Sequence, residues 1–157
     1  MLRRLKIFLV CVLSVMLIAC SDKNDGVFHD VQGNLVKLSQ LQGKWVIVNY
    51  WAAWCEGCIK EIPELNDFNK ARGDDVVIYG INFDQPDLDA LKQSIEKAHI
   101  KFPVLTQDPG VAWHLDDVSV LPTTFIINPK GKVVQKILGT STQASLSAAL
   151  KKAKDAL

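Results

Sequence analysis

Two cysteines separated by two residues, Cys55 and Cys58 in the run Trp54-Cys55-Glu56-Gly57-Cys58, can cycle between dithiol and disulfide. That chemistry runs through a thiolate. A thiolate is favoured where a helix begins, because the first backbone N–H groups lack partners and the dipole is positive there. The flanking residues supply this setting. Lys44 to Trp51 is apolar, β-branched and aromatic, as a buried strand requires. From Cys58 to about Lys70, Ile59, Ile62, Leu65 and Phe68 recur at helical spacing. Strand, turn and helix therefore place Cys55 in the first helical turn as the nucleophile, with Cys58 less exposed and suited to resolve a mixed disulfide. A structural zinc site would need four ligands. The other cysteines, Cys11 and Cys20, lie in the N-terminal apolar segment, and His29, His99 and His114 show no ligand spacing. No metal and no cofactor is expected.

The residues around the pair bear on its reactivity. Glu56 and Gly57 separate the cysteines, and a carboxylate about 6 Å from a thiolate costs roughly 0.7 to 3 kcal/mol at an effective dielectric of about 80 to 20. Glu56 is thus expected to disfavour the Cys55 thiolate and to make the pair a better reductant. Glu61 follows Cys58 by three residues and shares its helix face. Pro63 lacks the N–H of a helical bond and is expected to bend the helix. Trp51 and Trp54 are expected to pack around the site as apolar aromatics.

Upstream, Arg3, Arg4 and Lys6 precede an unbroken run of apolar and small residues from Ile7 to Ala19. That run falls short of the roughly 20 residues of a membrane span and matches the core of a signal peptide. Leu17-Ile18-Ala19-Cys20 has the form of a bacterial lipobox, which implies a leader over 1–19, lipidation of Cys20, a polar tether over 20–26 and one domain over 27–157. Losing the leader takes the formal net charge from +1 to −2, and neither value suggests a nucleic-acid partner. It also leaves Cys55 and Cys58 as the free thiols of an exported chain, so the pair is dedicated to exchange. The expected location is the periplasm or another extracytoplasmic face, held to a bacterial membrane by the lipid.

Further along, Phe28–Val31 and Asn34–Leu38 suggest a hairpin broken at Gly33, and Val76–Asn82 a second buried strand. Leu88, Leu91, Ile95 and Ala98 form a helical stripe entered through Pro86-Asp87. Phe102–Leu105 suggests a short extended piece, and Pro109 to Leu115 a helical turn. Thr123–Ile127 and Lys132–Leu138 flank Asn128-Pro129-Lys130-Gly131, a hairpin turn. Leu146, Ala149, Leu150, Ala153 and Leu157 share a face of a final helix capped by Ser141 or Thr142. This order gives an α/β fold with a mixed central sheet, helices on both faces and an N-terminal β-hairpin extension.

With Leu121-Pro122-Thr123-Thr124-Phe125 ahead of the second hairpin and Pro63 in the helix after the cysteines, the chain resembles the thioredoxin fold. Within that superfamily it is most similar to the TlpA/ResA-like, membrane-tethered thiol-disulfide oxidoreductases. The matching blocks are Val48-Asn49-Tyr50-Trp51-Ala52-Ala53-Trp54-Cys55, Cys58-Ile59-Lys60-Glu61-Ile62-Pro63-Glu64-Leu65 and Tyr79-Gly80-Ile81-Asn82. The resemblance implies that Pro122 is cis, faces the disulfide and presents backbone to a substrate strand. It implies that Glu61 helps proton transfer, the more so because Asn49 stands where ordinary thioredoxins carry a buried Asp, and an amide takes up no proton. It further implies reduction of disulfides in exported proteins, those formed by apocytochrome c thiols among them, with a membrane electron donor of the DsbD/CcdA type. No dimerisation segment is evident in the sequence, so a monomer is expected. Oxidase or isomerase activity is the alternative on the same fold. Copper(I) delivery is the alternative of another class, although such proteins typically carry C-x-x-x-C. A peroxiredoxin would carry T-x-x-C, whereas residue 52 is Ala.

Overall fold

A computed structural model describes residues 26–157, so the leader, Cys11, Cys20 and the tether up to residue 25 lie outside the described residues. The chain order is β1 (Phe28–His29), β2 (Leu35–Val36), a 3-10 turn (Leu38–Leu41), β3 (Trp45–Trp51), α1 (Glu56–Ala71) and β4 (Val76–Asn82). It continues through α2 (Leu88–Ala98), β5 (Val104–Leu105), β6 (Thr123–Ile127), β7 (Val133–Leu138) and α3 (Gln143–Asp155). Five strands form one mixed sheet in the order β5-β4-β3-β6-β7. β3 lies at its centre, parallel to β4 and antiparallel to β6, and every one of its residues is buried. Its near-continuous apolar sequence is what burial on both faces demands.

Strand parity sorts the core. Trp45, Ile47, Asn49 and Trp51 point to the face that carries α1 and α3, where Leu65, Phe68, Leu146 and Leu150 meet Ile47, Ile78 and Ile126. Leu91 of α2 joins Trp51, Ile62 and Val104 toward the same side. Both β3-α1-β4 and β4-α2-β5 are parallel crossovers moving the same way across the sheet, and right-handed crossovers of that kind lie on one face. The expected helices on both faces therefore resolve into three α-helices on one face. The other face is covered by β1, β2, the 3-10 turn and the 109–115 turn, whose Trp113 packs edge-on against Phe28 and Tyr79.

The N-terminal hairpin is shorter than its sequence suggests, because Asp30 captures the chain. Its Oδ1 accepts from the backbone N–H groups of Gln32 and Asn34, and its Oδ2 from the Asn34 amide. This Asx-type turn ends the ladder early. Asp30 also bridges Leu105, and Val31 N donates to Val104 O, so the hairpin covers the β5 edge of the sheet. Helix boundaries follow local chemistry. Asp87 caps α2 through Ala90 N, and Thr142 caps α3 in a reciprocal pair with Ser145. α1 runs on through Pro63. Its buried residues are Cys58, Glu61, Ile62, Leu65 and Phe68, so Ile59, counted in the apolar stripe, is instead 38% exposed.

Candidate active site

Cys55 is the N-cap of α1, and its sulfur accepts a hydrogen bond from Cys58 N at 3.1 Å. A backbone N–H aimed at sulfur in this way stabilises a thiolate when the pair is reduced. In the structure the two cysteines form a disulfide with Cα atoms 5.2 Å apart. Both sulfur-bearing residues are buried, Cys58 more completely than Cys55. That asymmetry fits attack through Cys55 and resolution through Cys58.

The Leu121–Pro122 bond is cis. Pro122 stands against the residue between the cysteines: a Cβ on Gly57 would lie 3.5 Å from Pro122 Cδ and 3.3 Å from Thr140 Cγ2. Gly57 thus lets the helix tip and the Pro122 loop approach closely. Exposed apolar residues stand on the elements that meet at the disulfide. Trp54, Ile59, Phe83, Val120 and Leu138 are all exposed. Phe83 N is bonded to Trp51 O, Val120 precedes Pro122 by two residues, and Leu138 pairs with Thr123. A rim of this kind suits a protein segment as substrate.

Trp54 departs from its expected packing. It is 67% exposed and is held by a 2.9 Å hydrogen bond from Nε1 to Asp84 Oδ2. Asp84 is itself set by Asn82, whose Oδ1 accepts from Asp84 N at the end of β4. Trp51 by contrast is wholly buried, and its Nε1 has no hydrogen-bond partner.

The two acids of α1 end up in opposite surroundings. Glu56 has 82% of its side chain exposed and pairs with Lys60 at 2.6 Å. Its charge is screened by water and by that lysine, which weakens the effect on Cys55 that adjacency in sequence suggests. Glu61 is only 2% exposed. Its Oε1 accepts from Asn49 Nδ2 at 3.1 Å, and the same nitrogen donates to Thr124 Oγ1 at 3.0 Å. Oε2 has no partner. Burial pushes the Glu61 carboxyl up to about 7, and the nearby Ser141 backbone opposes this by less. A buried acid poised near neutrality, one turn from Cys58, has the properties of a proton carrier.

Thr124 and Asp84 carry no signal of their own in the sequence. Thr124 becomes significant because β3 and β6 pair it directly with Asn49. Cys20 lies outside the described residues. Among those residues no group of three His, Cys, Asp or Glu side chains is placed to hold a metal ion, and no helix is long and apolar enough to cross a membrane. A cavity of about 580 Å³ is lined by Phe28, Leu38, Asp108 and Lys130, and neither cysteine lines it.

Comparison with known proteins agrees with this geometry. The profile of the AhpC/TSA family matches residues 22–136. Over 127 residues the chain is 36% identical to the thiol-disulfide oxidoreductase ResA of Bacillus subtilis, covering 80% of this chain and 70% of that one. Among solved structures, an exposed lipoprotein thioredoxin of Streptococcus pneumoniae superposes with a TM-score of 0.72 at 26% identity, covering 82% of this chain and 98% of that one. A DsbE-type thiol:disulfide interchange protein of Chlorobium tepidum gives a TM-score of 0.65 at 27% identity, covering 83% and 92%.

Proposed function

We propose, starting from the premise that this chain belongs to the AhpC/TSA family and within it to the ResA-like thiol-disulfide oxidoreductases, that it reduces disulfides in exported proteins. The observation that carries this reading is the Cys55–Cys58 disulfide at the tip of α1, lying beneath an apolar rim and beside Pro122. In the reducing direction the Cys55 thiolate attacks a substrate disulfide and forms a mixed disulfide. Cys58 then attacks the Cys55 sulfur, the bond to substrate breaks, and the substrate thiolate leaves. Two thiols of the enzyme are oxidised as one disulfide of the substrate is reduced.

Pro122 and the backbone before it receive the substrate strand, and Trp54 and Gly57 shape the approach to the sulfurs. Glu61 exchanges the proton of Cys58, while Glu56 acts only as a screened charge. The disulfide formed by apocytochrome c thiols is the substrate class first in view, and a membrane donor of the DsbD/CcdA type restores the dithiol. The chain is read as a leader over 1–19, a lipidated tether over 20–26 and a catalytic domain over 27–157, anchored through Cys20 on an extracytoplasmic face. The lipoprotein nature of the pneumococcal relative supports that anchor. A tether of about seven flexible residues reaches roughly 15 Å r.m.s., so substrates are met close to the membrane.

Trapping tests the reading. Cys58→Ser in the full chain is expected to accumulate mixed disulfides with exported proteins through Cys55, detected on non-reducing gels and identified by mass spectrometry. Capture by Cys55→Ser at the same level, or no capture by Cys58→Ser, contradicts it.

A further inference from the structure

On the reading that Glu61 carries the Cys58 proton, we propose that Asn49 and Thr124 are the positioning residues for that carboxyl. Asn49 holds one carboxyl oxygen, Thr124 holds Asn49, and the second oxygen is left open for the proton. The three side chains come from three elements. Asn49 lies on β3, Thr124 directly opposite it on β6, and Glu61 on the helix packed over them. All three are buried.

The donor count makes the arrangement directional. An amide nitrogen has two hydrogens and no more. Asn49 Nδ2 spends one on Glu61 Oε1 and the other on Thr124 Oγ1. Oε1 is therefore occupied and Oε2 is not. Cys58 lies three residues back on the same buried face of the helix, one turn from the carboxyl. In the resolving step the Cys58 S–H proton passes to Oε2. The Cys58 sulfur then bonds to the Cys55 sulfur, the Cys55–substrate S–S bond breaks, and its electron pair leaves on the substrate thiolate, which takes a proton from water. Asn49 cannot itself take the proton. It adds no second acid beside Glu61 and supplies the donor that favours its charged form.

The other groups facing Glu61 leave this assignment intact. Along α1 these are the cysteine pair and, one turn on, Glu64, whose Oε2 is engaged by Gln143 N. From the segment before α3 comes the Ser141 backbone. From β3 and β6 come only Asn49 and Thr124. Among the described residues no cation forms an ion pair with Glu61.

The test follows the reduced full chain reacting with an aromatic disulfide reagent that releases a coloured thiolate. The first release reports attack by Cys55 and the second reports resolution by Cys58, each measured from pH 5 to 9. Wild type is expected to show an inflection in the second release near neutrality. Asn49→Ala should move it up by about one pH unit, the size of one hydrogen bond to a charged group. Thr124→Val, nearly isosteric, should move it the same way by less. Asn49→Asp should split it into two steps, since two adjoining carboxyls share one proton. A purely structural role would slow both releases without moving the inflection. If Glu61→Gln abolishes the inflection while Asn49→Ala and Thr124→Val leave it in place, the positioning role is overturned and the carrier role stands. If Glu61→Gln itself leaves the inflection unchanged, the carrier role fails and the positioning role falls with it. Should Asn49→Ala fail to fold, Thr124→Val and Asn49→Asp carry the decision.

Discussion

Glu56 and Glu61 sit five residues apart on one helix, one between the cysteines and the other three residues beyond Cys58, yet they are physically different groups. Glu56 faces water beside Lys60. Glu61 faces Asn49 and Thr124 in the interior, with one oxygen unpaired. A charge in water is weakened by the high dielectric and by salt, whereas a carboxyl removed from water shifts its protonation into the working range of a thiol. Proximity to the cysteines along the chain is thus a poorer guide to chemical influence than the surroundings into which the fold places each side chain.

The largest test of that contrast is Glu61→Gln. The carboxyl is raised from 4.5 to about 7, so the folded state holds a proton that the unfolded state has released between those values. Stability therefore falls as pH rises from about 4.5 to 7, by about 3 kcal/mol in all, and remains lower above that range. Glu61→Gln, which keeps an acceptor for Asn49, is expected to be more stable than wild type at pH 8 by up to about 3 kcal/mol. The two should converge at pH 4.5 in urea unfolding of the oxidised proteins. Equal stabilities at pH 8 would place Glu61 in water and erase the contrast.

Much of the frame was legible in the sequence. Val76–Asn82 and Leu88–Ala98 form with the expected bounds, because apolar runs and capping residues state their own geometry. Periodicity counts Ile59 as core, but the face of α1 that meets β3 includes residues 58 and 61, so Ile59 turns outward while Glu61 keeps the Cys58 face that its spacing indicates. A glutamate can turn inward there because Asn49 and Thr124 wait opposite it, and that pairing depends on the β3–β6 register, a long-range fact. The exposure of Trp54 has a similar origin, since Asp84, which holds its indole, arrives from the end of β4.

An intermediate case lies on the other face of β3. The Tyr50 hydroxyl, on a buried ring, donates to Asp108 Oδ1 at 2.6 Å at an exposed carboxylate. Burial first, and Asp108 second, push the phenol well above its ordinary range, so it remains protonated in mildly alkaline solution. Tyr50→Phe should cost about 1–2 kcal/mol in urea unfolding, a charge-assisted bond tempered by exposure at one end. A loss near 3 kcal/mol would show this bond to be as sequestered as Glu61.

The smallest effect belongs to Glu56. Glu56→Gln removes an exposed i,i+4 pair and should change stability by less than about 0.5 kcal/mol. The coupling of Glu56 and Lys60 in a double-mutant cycle should be equally small. A coupling above about 1 kcal/mol would show that the surface pair does more than its exposure allows.

The central claim is that this pair works as a reductant, and the reduction potential tests it most directly. Equilibration of Cys55/Cys58 with glutathione at pH 7, followed through Trp51 and Trp54 fluorescence, should give a value more negative than about −220 mV. A value less negative than about −150 mV would contradict the account and make the protein an oxidant or isomerase of the same fold.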